Sequence, residues 1–217
     1  MSTRLNNRRR QIEDAASALF SGRGYAATSM RDIASTLDLQ GGSLYAHVAS
    51  KEALLWSIVD DAAGRFHAAV RPIAEGRGGA AERLRAMVHA HVGVLADGLE
   101  RASVYLYEWA FLAPERRELI AASRSAYQAM FERVIAEGQA SGELVGEPEP
   151  KLAAIFVLSA LNALPRWYRA DGPLSLGEVA ERYAGLFLRG LTAPSSVLPA
   201  GHRDPGATQP PSHRRGP

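Results

Sequence analysis

The sequence predicts an all-α protein, and three observations support that prediction. Apolar residues recur three and four positions apart along most of the chain, which is the spacing of one buried helical face. Serine and proline stand where such runs begin, and glycine stands where they end. No convincing alternation of apolar and polar residues, the pattern of a half-buried β-strand, occurs anywhere in the sequence.

The first group of helices is predicted to end near Pro72. Its opening helix should stop at Gly22 or Gly24, since glycine accepts the left-handed conformation that often follows a helix. The second helix should begin at Ser29, an N-cap residue with Asp32 three positions on, which is a variant of the capping box. The expected spans are 8–21, 29–37, 42–48 and 51–72.

A glycine-rich loop at residues 75–79 is predicted to separate a second group of helices from the first. Its sequence does not make a phosphate-binding loop, because no strand precedes it and the Gly-Lys-Ser/Thr ending is missing. Pro165 is expected to kink a later helix near Leu161, since proline removes a backbone donor. The expected spans are 80–97, 101–112, 114–140, 150–169 and 175–191.

This organisation gives two predicted domains and a tail. The first domain covers residues 6–66, with a short-helix motif at 29–48, and the second covers 80–192. Residues 193–217 contain too few apolar side chains to pack, so we expect a disordered tail.

The segment from Thr28 to Leu54 contains the most informative pattern. Met30, Ile33 and Leu37 fall on one apolar face of a short helix. The next run, Gly-Ser-Leu-Tyr-Ala-His-Val, is too short for a core helix and presents hydroxyl, phenol and imidazole groups. Such groups hydrogen-bond phosphates and base edges. The pattern therefore indicates a helix-turn-helix that binds DNA.

Positive charge is concentrated around this segment. Residues 1–51 hold seven basic and four acidic side chains, a net charge of +3, whereas the remainder has a net charge of −1. A gathered positive charge is what a phosphate-binding module requires. We therefore expect the Arg8-Arg9-Arg10 cluster to contact DNA.

The same segment resembles the pattern of the TetR family of bacterial transcriptional regulators, T-x-x-x-I-A-x-x-A-G-V-S-x-G-x-x-Y-x-H-F-x-x-K. The residues in register are Thr28 or Ser29, Ile33, Ala34, Gly42, Tyr45, His47 and Lys51. The departures are Leu37, Asp38, Gln40 and Val48. Leu37 and Val48 remain apolar, and Asp38 can adopt the left-handed turn that glycine usually supplies. Gln40 changes the side chain nearest the DNA groove, so we expect it to affect which operator sequence is recognised.

The resemblance and the chemistry of these side chains give a set of expected DNA contacts. Tyr45 and His47 are expected to bind backbone oxygens, since their short helix has nothing apolar to bury. Lys51 opposes the helix dipole at a first turn, which a phosphate contact would explain. Gln40 and Ser43 can reach bases. The full expected set is Arg8, Thr28, Ser29, Gln40, Gly41, Gly42, Ser43, Tyr45, His47 and Lys51.

The last two predicted helices are expected to form a homodimer interface. The stretch from Leu152 to Leu164 is apolar nearly all round, so it must be buried on more than one side. The family resemblance implies that these helices pair with their symmetry mates in a four-helix bundle. We expect Leu158 to lie in that bundle. A twofold dimer also implies a palindromic operator with half-sites about 34–36 Å apart.

Aromatic residues are concentrated in the central helices, either as ordinary core or as the wall of an apolar cavity bounded by polar groups. The runs at 166–175 and 107–118 resemble a TetR branch that senses acyl-CoA thioesters. The resemblance implies an acyl-CoA effector, with its acyl part in the cavity and its nucleotide part nearer arginine. The expected effector contacts are Tyr105, Trp109, Arg124, Tyr127, Phe131, Asn162 and Arg166.

Several other classes of protein are disfavoured. The chain has no cysteine, and His89 and His91 fall on different helical faces, so no metal site and no cofactor are expected. No run of about 18 apolar residues could span a membrane. The basic start leads into an amphipathic helix rather than a signal peptide, so a cytoplasmic location is expected.

The predicted function is that of a DNA-binding repressor released from its operator by a small molecule. Two alternatives remain open, a DNA-binding helical protein without an effector, and a helical enzyme whose helix-turn-helix match is fortuitous. The enzyme requires a nucleophile with its base, a metal cluster or a cofactor loop, and the sequence contains no HExxH or GxSxG motif.

Overall fold

The computed structural model describes residues 2–39 and 41–192, with side chains from residue 7 onward. This part of the chain is helical and contains no β-strand, which confirms the all-α prediction. The expectations for Gln40 and for the tail at 193–217 lie outside the described residues. The helices are α1 (Ser2–Arg23), α2 (Met30–Thr36), α3 (Gly41–Tyr45), α4 (Lys51–Ala74), α5 (Ala80–Ala96), α6 (Leu99–Tyr107), α7 (Pro114–Ser141), α8 (Pro150–Asn162), α9 (Leu164–Trp167) and α10 (Leu176–Thr192), with a 3-10 turn at Trp109–Phe111.

Three helices end at least three residues earlier than predicted. α3 stops at Tyr45, because the backbone N–H of His47 bonds the Leu44 carbonyl three residues back and closes a turn. α6 stops at Tyr107, and the 3-10 turn takes up the rest of the predicted span. Pro165 ends α8 rather than only bending it: it lies in the first turn of α9, where a missing N–H leaves no intrahelical bond unmade.

The signals predicted at the two ends of α2 are confirmed: a capping box at its start and a left-handed residue after its end. The Ser29 hydroxyl accepts a hydrogen bond from the Asp32 backbone N–H at 3.2 Å, and the Asp32 carboxylate accepts one from the Ser29 N–H at 2.7 Å. The Ser29 hydroxyl also donates to that carboxylate at 2.7 Å, and this bond together with the one from the Ser29 N–H lowers the pKa of Asp32. Asp38 has φ of +52°, the left-handed conformation expected of it.

One continuous hydrophobic core runs from the N-terminal helices to α10. Phe20 of α1, Ile33 of α2 and Leu44 of α3 are fully buried in its N-terminal part. The prediction that the third helix has nothing apolar to bury is therefore wrong, since Leu44 anchors it and leaves its polar residues outside. Phe66 of α4 and Phe131 of α7 are buried in the larger C-terminal part.

The helix order positions α4 and α6 between the two ends of the molecule. α4 packs against α5, α6 and α7, while α6 packs against both α4 and α1. α10 lies on α5, and α8 lies on α7. No helix among the described residues is both long and apolar enough to cross a bilayer.

The close approach of α7 to α5 depends on a glycine. A Cβ atom placed on Gly138 would lie 2.7 Å from the Ala80 Cβ and 2.7 Å from the Leu144 Cδ1. The nearby carboxylate of Glu143 accepts bonds from the Ala80 and Ala81 N–H groups, at 2.6 and 3.0 Å, and so caps α5 from another segment. Any side chain at position 138 would push α7 away from the start of α5 and from Leu144.

We therefore expect Gly138→Ala to lower the free energy of unfolding by about 1–3 kcal/mol through overpacking. Gly93→Ala is the matched control, because that helical glycine has nothing within 4 Å of an added Cβ. The control should gain about 0.5–1 kcal/mol from helix propensity. Urea unfolding followed by circular dichroism measures both. Equal stability of the two variants would contradict the packing assigned to Gly138.

Candidate nucleic-acid interface and ligand cavity

The exposed face of α3 contains the polar residues that the sequence placed at a DNA interface. Tyr45 is 56% exposed and Ser43 is exposed, while His47 in the following turn is half-buried. The buried Leu44 lies between the first two and fixes the helix to the core. Gly42 is exposed, with open space where a Cβ would stand. The structure thus brings these four predicted site residues to one surface.

Two of the predicted contacts are used inside the protein instead. Thr28 is only 2% exposed, and its hydroxyl donates to the Gly24 carbonyl at 2.9 Å. Its assignment as a side-chain contact to DNA is therefore wrong. The Ser29 hydroxyl is engaged in the α2 capping box. Its role in the structure is to start the helix.

The three arginines of the cluster on α1 differ in their contacts within the protein. Arg8 is half-buried and its Nη1 donates to the Gln11 side chain at 2.8 Å. Arg9 bonds Glu13 and Ser57, both at 3.2 Å, and so ties α1 to α4. A contact of Arg9 with DNA would require these bonds to be given up. Arg8 and the exposed Arg10 remain the better candidates.

Lys51 at the start of α4 holds the connection between α1 and α2. Its ammonium donates to the carbonyls of Tyr25 and Thr28, at 2.9 and 2.7 Å. The same group lies 4.1 Å from the centre of the Tyr25 ring. These intramolecular partners explain a lysine at a helix N-terminus without the phosphate contact that the sequence suggested.

A cavity of about 260 Å³ lies between α4, α5, α6, α7 and α8. It is lined by Phe66, His91, Tyr105, Leu106, Arg124, Ser125, Tyr127, Gln128, Ile155, Leu158, Ser159 and Asn162. Four of the seven predicted effector residues, Tyr105, Arg124, Tyr127 and Asn162, are therefore in its wall.

The other three predicted residues are near the cavity without lining it. Phe131 lies in the core behind Tyr127, with the two ring centres 5.6 Å apart. Trp109 lies 5.4 Å from the Arg124 guanidinium. Arg166 stacks on the Tyr107 ring at 4.0 Å. These three residues are therefore not direct contacts of the cavity in this structure.

The inner end of the cavity is closed by aromatic side chains. Phe66, His91 and Tyr127 are all buried, and His91 Nδ1 lies 3.0 Å from the Tyr127 hydroxyl. Burial lowers the pKa of His91 from 6.5 to about 3, because the charged imidazolium would lose its hydration. Burial likewise raises the pKa of Tyr127 well above 10.0. Both groups are therefore neutral near pH 7.

The outer end is polar and carries one cation. The Arg124 guanidinium lies over the rings of Tyr105 and Trp109, at 5.2 and 5.4 Å. Ser125 and Ser159 are exposed at this end. The cavity thus changes from an aromatic interior to a polar, positively charged mouth. A ligand that fits both ends needs an apolar group joined to a polar or anionic one.

Sequence reasoning missed Phe66, His91 and Leu158 as wall residues. The sequence predicts Leu158 in the dimer interface, but it is only 8% exposed within a single chain and lines the cavity. That expectation is wrong because one apolar helix serves two surfaces, and periodicity alone does not assign a residue to either. On sequence grounds, His91 is considered only in rejecting a metal site, although a histidine between apolar helical positions also fits a cavity wall.

α6 connects the cavity directly to the N-terminal helices. It contributes Tyr105 to the cavity wall, and its Arg101 bonds the Asp14 carboxylate of α1 through Nε and Nη2, at 3.0 and 2.8 Å. Just beyond α6, the Glu108 carboxylate accepts a bond from the Tyr25 backbone N–H at 3.0 Å. A displacement of α6 by a ligand would therefore reach α1 without passing through α4.

A second groove, of about 370 Å³, lies on the outer face of α8 and α10. Its side chains are all apolar: Pro148, Leu152, Ala153, Phe156, Val157, Leu186, Phe187, Gly190 and Leu191. Phe156 is 65% exposed, which is unusual for a phenylalanine beside other exposed apolar residues. This face of the two helices is suited to cover by another apolar surface.

Comparison with known proteins agrees with this description for both the N-terminal and the C-terminal helices. Residues 12–58 match the family model of bacterial regulatory proteins of the tetR family, and residues 77–191 match the tetracyclin repressor-like C-terminal domain. The HTH-type transcriptional repressor KstR2 of Mycobacterium tuberculosis is 29% identical over 189 residues, which cover 87% of this chain and 94% of that protein.

Two solved structures are similar along most of their length. The TetR family transcriptional regulator PfmR from Thermus thermophilus has a TM-score of 0.76 and 35% identity, covering 85% of this chain and 100% of its own. AibR, solved in complex with isovaleryl coenzyme A and operator DNA, has a TM-score of 0.73 and 28% identity, with 85% and 97% covered.

The two carbonyl contacts of Lys51 lead to a stability prediction. Lys51→Ala should lower the free energy of unfolding by about 1–3 kcal/mol, because it removes two charge-assisted hydrogen bonds. Tyr45→Ala is the control, since that exposed side chain makes no hydrogen bond or ion pair among the described residues, and its effect should stay within about 0.5 kcal/mol. Chemical denaturation measures both variants. A Lys51→Ala protein as stable as the wild type would contradict the role assigned to the ammonium.

The depressed pKa of His91 predicts a pH dependence. Because the folded pKa of about 3 lies below the ordinary 6.5, the unfolded chain binds more protons, and stability is lost as pH falls below 6.5. The loss should approach about 1.4 kcal/mol per pH unit. His91→Gln lacks this titration, so the stability difference between wild type and variant should change with that slope below pH 6.5. A difference independent of pH would show that His91 is not buried in its neutral form.

Proposed function

Since the chain belongs to the tetR family of bacterial regulatory proteins, we propose that it is a homodimeric repressor released from a palindromic operator by an acyl-CoA thioester. That it is a DNA-binding transcriptional regulator follows from the family itself. Its curated relatives are transcriptional regulators, so the enzyme alternative is not retained. The observation that supports a sensor most strongly is the cavity whose wall helix, α6, is bonded to α1.

The DNA-binding domain is proposed to span residues 6–66, with α3 as the helix that enters the major groove. Ser43 and Gln40 would reach bases from its leading edge, where Gly41 and Gly42 allow a close approach. Tyr45, His47 and Arg8 would bind phosphates on either side, and Lys51 would support the connection between α1 and α2. The second domain, 80–192, would hold the effector and form the dimer.

The outer face of α8 and α10 is proposed as the dimer interface. Leu152, Phe156 and Leu186 are each more than half exposed in the single chain, and together they form one apolar surface. A twofold axis through this face would bury each set against its copy, as an isologous interface requires. The dimer would then carry two α3 helices, one for each half-site.

Phe156→Glu tests this interface. A carboxylate at the centre of the apolar face would be buried unpaired in the dimer but solvated in the monomer, so the variant should be a folded monomer. Leu119→Glu, at another exposed leucine on α7, is the control and should remain dimeric. Light scattering and circular dichroism report mass and folding. A dimeric Phe156→Glu protein would exclude this face, and a monomeric wild type at micromolar concentration would exclude the homodimer.

The size and polarity of the cavity support an acyl-CoA thioester as the effector. A volume of about 260 Å³ is near the lower limit for a small-molecule site, so it suits an acyl group rather than a whole coenzyme. The pantetheine and nucleotide would then lie outside, past Arg124 at the mouth and toward the exposed Arg166. The acyl group would lie among Tyr105, Tyr127 and Leu158. The similar protein AibR was solved with such a thioester.

The switch is proposed to work through α6 as well as α4. An acyl group between Tyr105 and Leu158 would press on α6, whose Arg101 is bonded to α1. Turning α1 would alter the spacing of the two α3 helices and weaken the match to the half-sites. Release follows only if the thioester binds the displaced arrangement more tightly than the DNA-bound one.

Titration of free and operator-bound protein with a series of acyl-CoAs tests the assignment. At least one thioester should bind the free protein with micromolar Kd, and operator DNA should weaken that binding by a factor of about 5–150. The thioester should weaken operator binding by the same factor, because linkage is reciprocal. Coenzyme A without an acyl group is the control and should show neither effect. Failure of every thioester to bind, or binding that ignores the operator, would overturn the acyl-CoA assignment and leave the DNA-binding function intact.

A further inference from the structure

One buried polar atom of a residue in the cavity wall has no hydrogen-bond partner among the described residues. His91 is 1% exposed and lines the cavity. Its Nδ1 lies 3.0 Å from the Tyr127 hydroxyl, whereas its Nε2 has no hydrogen-bond partner among the described residues. Buried polar groups are nearly always paired, because an unpaired one loses its bonds to water without replacement. Because His91 lines the cavity, a ligand that fills the cavity can supply that partner.

The Tyr127 hydroxyl determines which proton His91 carries. If the tyrosine O–H donates to His91 Nδ1, the neutral ring bears its proton on Nε2, and only that N–H is unpaired. In the opposite arrangement, with Nδ1–H donating, both the tyrosine proton and Nε2 would be unpaired in a buried site. The first arrangement leaves fewer unmade bonds. His91 Nε2 is therefore a hydrogen-bond donor, and the missing partner is an acceptor.

The position of His91 places that acceptor on the acyl group rather than on the thioester. Its neighbours Phe66 and Tyr127 are buried at the inner end, while Arg124 and the exposed Ser125 mark the mouth. The thioester carbonyl joins the acyl group to a coenzyme that remains outside, so it stays near the mouth. An oxygen that meets His91 must be farther along the chain.

We propose that His91 donates a hydrogen bond from Nε2 to an oxygen atom within the acyl group, so that the protein prefers oxygenated acyl-CoAs to plain alkyl ones. This inference rests on the acyl-CoA assignment and specifies the class of acyl group. A saturated chain fills the same space but leaves the Nε2–H buried and unpaired. A keto group at the right depth satisfies it.

Binding of octanoyl-CoA and a set of oxo-octanoyl-CoAs, with the ketone near the thioester, at mid-chain or near the chain end, tests the preference. In the wild-type dimer, one oxo isomer should bind about tenfold more tightly than octanoyl-CoA. His91→Leu should bind octanoyl-CoA at least as well as the wild type and lose the preference for that isomer. His91→Gln, which restores an N–H donor, should recover part of it. Operator binding by each variant, through the distant α3, reports that the protein is folded.

The wild-type protein offers a second readout that does not depend on any variant. With ¹⁵N-labelled histidine, the Nε2 resonance of His91 should shift on binding the preferred oxo isomer and remain near its free position with octanoyl-CoA. A preference retained by His91→Leu, or equal binding of octanoyl and all oxo isomers to the wild type, would overturn the role of His91 while acyl-CoA sensing stands. Absence of binding by any thioester would overturn both.

Discussion

The Arg101 guanidinium lies between carboxylates of two other helices, and the proposed coupling of the two ends of this molecule depends on that arrangement. It bonds Asp14 of α1, and Glu13 and Asp61 lie within 3.6 Å. The arginine side chain is largely buried, so its charge interacts through less water than a surface pair does. One turn farther along the same helix, Tyr105 faces the cavity. A single short helix thus contacts both the ligand site and the DNA-binding domain.

The surrounding packing makes α6 a rigid connection rather than a loose one. Its Val104 is fully buried, and Tyr105 stacks on Phe66 of α4 with ring centres 5.4 Å apart. Close-packed interiors resist small displacements, so in the proposed switch a ligand in the cavity would move the helix as a unit. Glu108 adds a second bond, to the backbone of the α1–α2 connection that Lys51 also supports. The position of α3 therefore depends on contacts that reach back to the cavity.

Much of this organisation could be predicted from local sequence, and the rest depends on contacts between distant residues. The capping box of Ser29 and Asp32, the left-handed Asp38 and the helix end at Gly142 are set by neighbours in the chain, and sequence alone indicates them. The internal roles of Thr28 and Lys51 depend on carbonyls that only the folded chain brings near. The same is true of the cavity. Aromatic and polar composition indicates four of its wall residues, whereas the inward position of Leu158 depends on the packing of α8 against its neighbours.

The most direct test of the proposed coupling compares Arg101→Met with the wild type. The measured quantity is the ratio of acyl-CoA affinities for free and operator-bound protein, determined by titration calorimetry. Loss of the guanidinium should bring that ratio from about 5–150 down toward one. Acyl-CoA affinity of the free protein should be unchanged, because Arg101 is not in the cavity wall. A variant that keeps the full wild-type ratio would contradict the proposal that α6 transmits the effect of the ligand to α1.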